Sequence, residues 1–256
     1  MLKVVIAVAR FTVLEAARTR VPWIVLGVIV GGLALAEIAA GLALTDSHAY
    51  RLAGYAAWTR LVLVATVTLL VATSVAREFE AGLLDLSLSR PLSRPQWYLG
   101  RLCGFAAIAC AIALAAAAPL WLTAAPAAAL GWGLSLAAEL VLVAAASLCA
   151  SVALGQLTAS VLAVAAFYLL SRSMAAIVLM SHGPLLDATA GSTAAIAQAV
   201  AAIALVLPPL DRFTVTAWLQ DSSTPVAGLA AIAVHTALYV LLLTAVGLFD
   251  FARRDL

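Results

Sequence analysis

Lysine is nearly missing from this chain: Lys3 is the only one among 256 residues. A phosphate-binding loop of the form GxxxxGK[ST] has no lysine to draw on, so any ATP hydrolysis must come from another polypeptide. Charge of either sign is scarce as well. Asp, Glu, Lys and Arg make up 10% of the residues, where a soluble domain carries about 25%. With 66% hydrophobic residues and a mean hydropathy of +1.14, the composition is that of an integral membrane protein. Cysteine is also sparse. Cys103, Cys110 and Cys149 lie in apolar runs without CxxC spacing and read as small core residues. There is no HExxH, and of His48, His182 and His235 only the last falls within a span, which excludes paired haem ligands on facing helices. The net charge of +2 is no nucleic-acid footprint, because the basic residues sit at membrane edges and form no patch. No catalytic, cofactor or metal site is expected.

The apolar runs predict an all-α polytopic protein with six transmembrane helices in one domain, residues 1–256. Residues 1–20 mix Lys3, Arg10, Glu15, Arg18 and Arg20 with apolar residues at helical spacing, the pattern of a helix in the headgroup plane. Val21–Leu44 is the first span and is too long for a signal-peptide core. Its Gly27 and Gly31 form a GxxxG pattern that lets helices approach closely. A polar loop is expected over Thr45–Tyr55. The remaining spans are 56–76, 98–124, 129–154, 157–180 and 227–249, with tight turns near Pro126 and at Gly155-Gln156.

Ten basic residues flank the spans on the side of the termini and four lie toward the other side, so both ends are expected in the cytoplasm. Residues 181–226 form an outer loop. Within it Ala194–Leu207 is apolar and helical in character, but at about 21 Å it cannot cross the bilayer. Pro208 and Pro209 end it, and Asp211, Arg212 and Phe213 complete the loop. A re-entrant or interfacial half-helix is expected.

Five charged or titratable residues fall inside spans: Glu37, Arg60, Glu139, Arg172 and His235. A charge at the bilayer centre costs about 2.5–3.5 kcal/mol on insertion scales, so such groups pair or face a wet cavity. The residues admit structural ion pairs, such as Glu37 with Arg60, or a polar pathway open to the outer side. If Glu139 and Arg172 are only a pair, exchanging them should preserve stability and transport. Helix counting puts all five between the midplane and the outer surface.

The most polar internal stretch is residues 77–95. It holds Arg77, Glu78, Glu80 and Asp85 with Gly82, Leu83, Leu84 and Leu88. Prolines 91 and 95 should end a helix begun near Arg77 at about Ser89, and Ser93 should cap the next. The expected product is a short helix at the bilayer surface, shaped as a lever for a soluble partner. Its acids would meet that partner or Arg10 and Arg18.

Arg77-Glu78, Gly82-Leu83-Leu84, Leu88 to Arg94 and Tyr98-Leu99-Gly100-Arg101 resemble the permeases of type-2 ABC exporters. Thr12–Arg20 is similar to that family's entry helix and Phe251–Leu256 to its charged tail. Arg101 stands where the family commonly has lysine. Leu205–Phe213 is similar to a loop of permeases grouped with copper-enzyme maturation. The resemblance implies a half-transporter in a bacterial inner membrane: two copies of this chain with two cytoplasmic ATPase subunits, which would bind the ATP and Mg. Arg77 to Leu88 would then be the coupling element. Membrane lipid is an expected partner, and the resemblance leaves room for an accessory protein on the outer face. The rival readings are a stand-alone secondary transporter or channel, with the broken helix near Pro208 and the buried charges as its path, and a membrane anchor of a larger assembly. No repeat between the two halves supports the secondary transporter.

Overall fold

The computed structural model describes residues 2–44, 46–80, 93–181, 191–220 and 226–253. It is all-α, with no strand among the described residues. The helices are α1 (Leu2–Arg18), α2 (Val21–Leu42), α3 (Ser47–Glu80), α4 (Arg94–Ala117), α5 (Pro126–Leu154), α6 (Leu157–Ser181), α7 (Gly191–Val206), α8 (Ala217–Gln220) and α9 (Val226–Arg253). Six of them, α2 to α6 and α9, are long and apolar enough to cross a membrane. The spans run antiparallel in sequence. The end of the bundle with α1, the start of α4 and the end of α9 is termed the near end here, and the opposite one the far end.

Helix boundaries follow local chemistry. Pro22 sits in the first turn of α2, where its missing N–H costs no hydrogen bond. Ser93 precedes α4 with an extended backbone, and its N–H donates to Gln96 Oε1 at 3.2 Å, so the expected cap is in place. Pro119 closes α4, and a 3-10 turn, Ala118–Leu122, leads to α5. At that break the Ala116 carbonyl accepts from the Tyr55 hydroxyl at 2.6 Å. Gly155 ends α5 at φ 66, a left-handed conformation that a side chain would oppose.

Two boundaries differ from expectation. The Thr45–Tyr55 loop is mostly helix, since α3 begins at Ser47; Asp46 bonds the start of that helix, and His48 and Arg51 reach other elements at the far end. Asp46 Oδ1 accepts from the Ala49 N–H at 3.0 Å, His48 bonds the Thr123 carbonyl at 2.8 Å, and Arg51 pairs with Glu37 at 3.0 Å. At the other end, Arg77 to Glu80 does not begin a new surface helix but completes the last turn of α3. No proline or glycine stands there to interrupt the ladder.

α5 is the hub. In its most apolar window 78% of residues are buried, against 11% in α9, because α5 packs on α3, α4, α6 and α9 together. Trp132, Leu136, Leu140 and Leu148 fill the space around it. α9, by contrast, leaves Val234, Leu238, Leu241, Leu242 and Val246 exposed along one side.

Close helix approaches lie elsewhere than the GxxxG pattern at Gly27 and Gly31 predicts. A Cβ at Gly27 would meet nothing within 4 Å, and at Gly31 only an ordinary contact with Trp58. Gly100 and Gly104 of α4 are among the tight positions: added Cβ atoms would stand 2.6 Å from Val8 Cβ and 2.6 Å from Thr12 Cβ. Residues four apart on α1 thus meet residues four apart on α4 in the same order, so α1 runs alongside the start of α4 in the same direction. Gly104→Ala is expected to destabilise the protein by about 1–3 kcal/mol through overpacking, read as a lower midpoint of thermal unfolding in detergent. An unchanged midpoint would mean that α1 shifts without cost.

Candidate functional site

Two buried arginine centres organise the bundle, one toward each end. The far-half centre is built on i, i+4 pairs. Ser135 and Glu139 share a face of α5, and Tyr168 and Arg172 share a face of α6. Glu139 is fully buried near the middle of α5. Its Oε1 accepts from Tyr168 Oη at 2.8 Å, and its Oε2 accepts from Thr214 Oγ1 at 2.7 Å. Arg172 Nη1 stands 3.7 Å from Oε1. The same guanidinium donates to the carbonyls of Leu210 and Phe213, the latter at 3.0 Å. Arg60 of α3 reaches Thr214 Oγ1 at 3.4 Å.

These bonds explain how irregular chain lies this deep in the bundle. After α7, which at 16 residues spans only about 24 Å, the prolines break the helix and the chain bends by 64°. Leu210, Phe213 and Thr214 are buried beside α5 and α6. Non-helical backbone at membrane depth must find its partners in protein. Arg172 serves two of its carbonyls, and the Thr214 N–H donates to Ser135 Oγ at 2.8 Å. Thr214 itself has φ 47, uncommon for a β-branched residue, and its hydroxyl bond to Glu139 holds it there. The centre is a clamp on the bent segment that follows α7.

The near-end centre is Arg101, with only 1% of its side chain exposed. Nη1 donates to Glu15 Oε2 at 2.9 Å and to Thr12 Oγ1 at 3.2 Å, and Nη2 pairs with Glu78. Ser74 Oγ donates to Glu15 Oε1 at 3.1 Å. The guanidinium also lies 6.0 Å from the Trp97 ring centre and 5.6 Å from that of Phe105. One side chain therefore ties α1, α3 and α4 together. Beside it, Arg94 Nη1 donates to the Phe251 carbonyl at 3.0 Å, capping the end of α9, and Trp97 packs on Phe251 at 5.5 Å.

The chain matches no family model, and no curated protein matches it.

The sequence-derived sites fare unevenly. Arg60, Glu139 and Arg172 do come together, and Thr214, Ser135 and Tyr168, which sequence reasoning missed, complete their centre. The Glu37–Arg60 pair is not formed. Glu37 pairs instead with Arg51, also on α3 but nearer the far surface, where both are solvated. Glu139 lies at the middle of its helix, just to the far-end side of its midpoint. His235 stands apart, its Nδ1 bonded to the Ala231 carbonyl of its own helix at 2.7 Å. In the outer loop, Pro208 and Phe213 are buried, Pro209 and Asp211 half-buried, and Arg212 exposed. Of the coupling residues, Arg77 is exposed and Glu78 meets Arg101, not Arg10 or Arg18, which are exposed. Glu80 is in the last turn of α3. Gly82, Leu83, Leu84, Asp85 and Leu88 lie outside the described residues. Sequence reasoning also passed over Glu15 and Thr12 as partners for Arg101, although their i, i+3 spacing puts them on one face of α1.

Proposed function

We propose that this chain is the membrane subunit of an ATP-driven exporter of the type-2 ABC kind. It works as a pair, with two copies of a separate ATPase bound at the near end, in a bacterial inner membrane with both termini cytoplasmic. The observation that carries the reading is the Arg101 centre. Glu78 lies just before residues 81–92 and Arg101 after them, and Arg101 pairs with both Glu78 and Glu15 of α1. A partner that displaces the segment between them would move α1, α3 and α4 as one unit. ATP binding in the partner would thus be passed to the spans as a rigid-body shift. The cargo, or the force passed to an outer accessory protein, is outside what these residues specify.

A stand-alone transporter would use the far-half charges as its path. Those groups are already engaged by Leu210, Phe213 and Thr214, which favours the clamp role over a conduit.

The test is co-purification of the chain with its ATPase from native membranes, scored by MgATP hydrolysis. The isolated chain is expected to hydrolyse none. Gly82→Pro is expected to insert normally yet lose the ATPase, because proline disrupts a helix by about 3 kcal/mol and misplaces the contacts beyond it. If that variant keeps both its partner and full ATP-dependent activity, the segment is only a connector and the reading fails.

A further inference from the structure

We propose that a groove at the junction of α1, α2 and α3 is a binding site for an anionic phospholipid, with the phosphate held between Arg20 and Arg77. The groove encloses about 500 Å³. Much of its lining is apolar, including Val21, Ile24, Leu69, Leu70 and the buried Phe105. Its lining also includes Arg20, the residue before α2, and Arg77, in the last turn of α3. Both arginines are exposed, and neither joins an ion pair among the described residues. They stand where the two spans end, at the level of lipid headgroups.

The remaining polar groups narrow the ligand. Glu15, at the groove's edge, is already engaged by Arg101 and Ser74. The Thr19 hydroxyl donates to the Ala16 carbonyl and that of Thr73 to the Leu69 carbonyl. Recognition of an anion therefore falls to the two guanidiniums, which suit phosphate oxygens geometrically. A zwitterionic headgroup would bring its own cation beside them, whereas an anionic one would not. A small soluble anion would leave the apolar wall wet. Leu69 also edges a second apolar groove, between α3 and α6, of about 260 Å³ and lined by Leu61, Val64 and Ala65. It lies farther along α3 from the arginines and offers room for another acyl chain.

The inference does not rest on the proposed function and is tested without ATP. The full chain, purified in detergent, is titrated with dioleoylphosphatidylglycerol or dioleoylphosphatidylcholine and bound lipid is counted by native mass spectrometry. The wild type is expected to prefer phosphatidylglycerol about tenfold or more. Replacing Arg20 and Arg77 together by Gln is expected to weaken phosphatidylglycerol binding by roughly 25-fold, about fivefold for each arginine near a lipid phosphate, and to weaken phosphatidylcholine binding much less, so that the preference is lost. Thr73→Phe, which fills the groove without altering charge, is expected to reduce both lipids. The proposal is overturned if the double variant keeps the preference, or if Thr73→Phe binds phosphatidylglycerol as before. It is also overturned if inorganic phosphate at the same concentration displaces the lipid, since the site would then be one for a soluble anion.

Discussion

Glu139→Ala is expected to destabilise the protein by about 3–5 kcal/mol, the cost of removing one partner from a buried charged pair. Glu139 is fully buried and answers two arginines from different helices, Arg172 directly and Arg60 through Thr214. Its loss would leave both guanidiniums with carbonyls and a hydroxyl only. Thr214 would also lose the acceptor that fixes its backbone, so the bent segment should loosen together with the bundle. Exchanging Glu139 and Arg172 is not expected to restore stability. A carboxylate at 172 would face the Leu210 and Phe213 carbonyls, and an arginine at 139 could not accept from Tyr168 or Thr214. Thermal unfolding in detergent, with protease cleavage between α7 and α8 as a local probe, reads both effects. A swap variant as stable as the wild type would show that the ion pair alone matters and would refute the clamp.

Arg101→Ala should be of comparable size, near 3 kcal/mol, because Glu15 is about one-third exposed and part of its charge is solvated. The two carboxylates that share this guanidinium would repel each other across the α1–α3 junction. Arg101→Lys is expected to recover only part of the loss. A single ammonium cannot reproduce the fork that reaches Thr12, Glu15 and Glu78 at once. The specific readout is release of α1, measured as proteolysis near Thr19 in detergent or membranes. If α1 stays protected in the alanine variant, its Gly100 and Gly104 contacts hold it unaided and Arg101 is not the tie.

The architecture was legible in the sequence because hydropathy and length alone delimit helices that must satisfy their own backbones in lipid. The far-half centre was half legible. Arg60, Glu139 and Arg172 announce themselves as charges in apolar runs, but Thr214 lies in a loop, and nothing in its neighbours foretells that the loop folds inward. The Glu37–Arg60 pairing fails because the Thr45–Tyr55 stretch, whose composition suits a loop, is mostly helical and brings Arg51 within reach of Glu37. Spacing alone could not choose between the two GxxxG patterns. Gly27 and Gly31 have the same signature as Gly100 and Gly104, but only the latter pair meets another helix closely in this chain. Arg101 was read as one more basic residue at a membrane edge. The closely packed glycines beside it bring α1 near enough for it to be buried.

The order in which partners emerge during synthesis separates the two centres. Glu15 and Glu78 are both made before Arg101, so the near-end tie can close as soon as α4 enters the membrane. Arg60 has no such provision. It enters with α3, about 80 residues ahead of Glu139 and about 150 ahead of Thr214. Through that interval its charge sits in an apolar helix without its final partners, at an insertion cost of about 2.5–3.5 kcal/mol. A nascent chain halted after α4 would therefore carry a closed Arg101 tie and an open far half, and the far-half centre waits on the loop between α7 and α8.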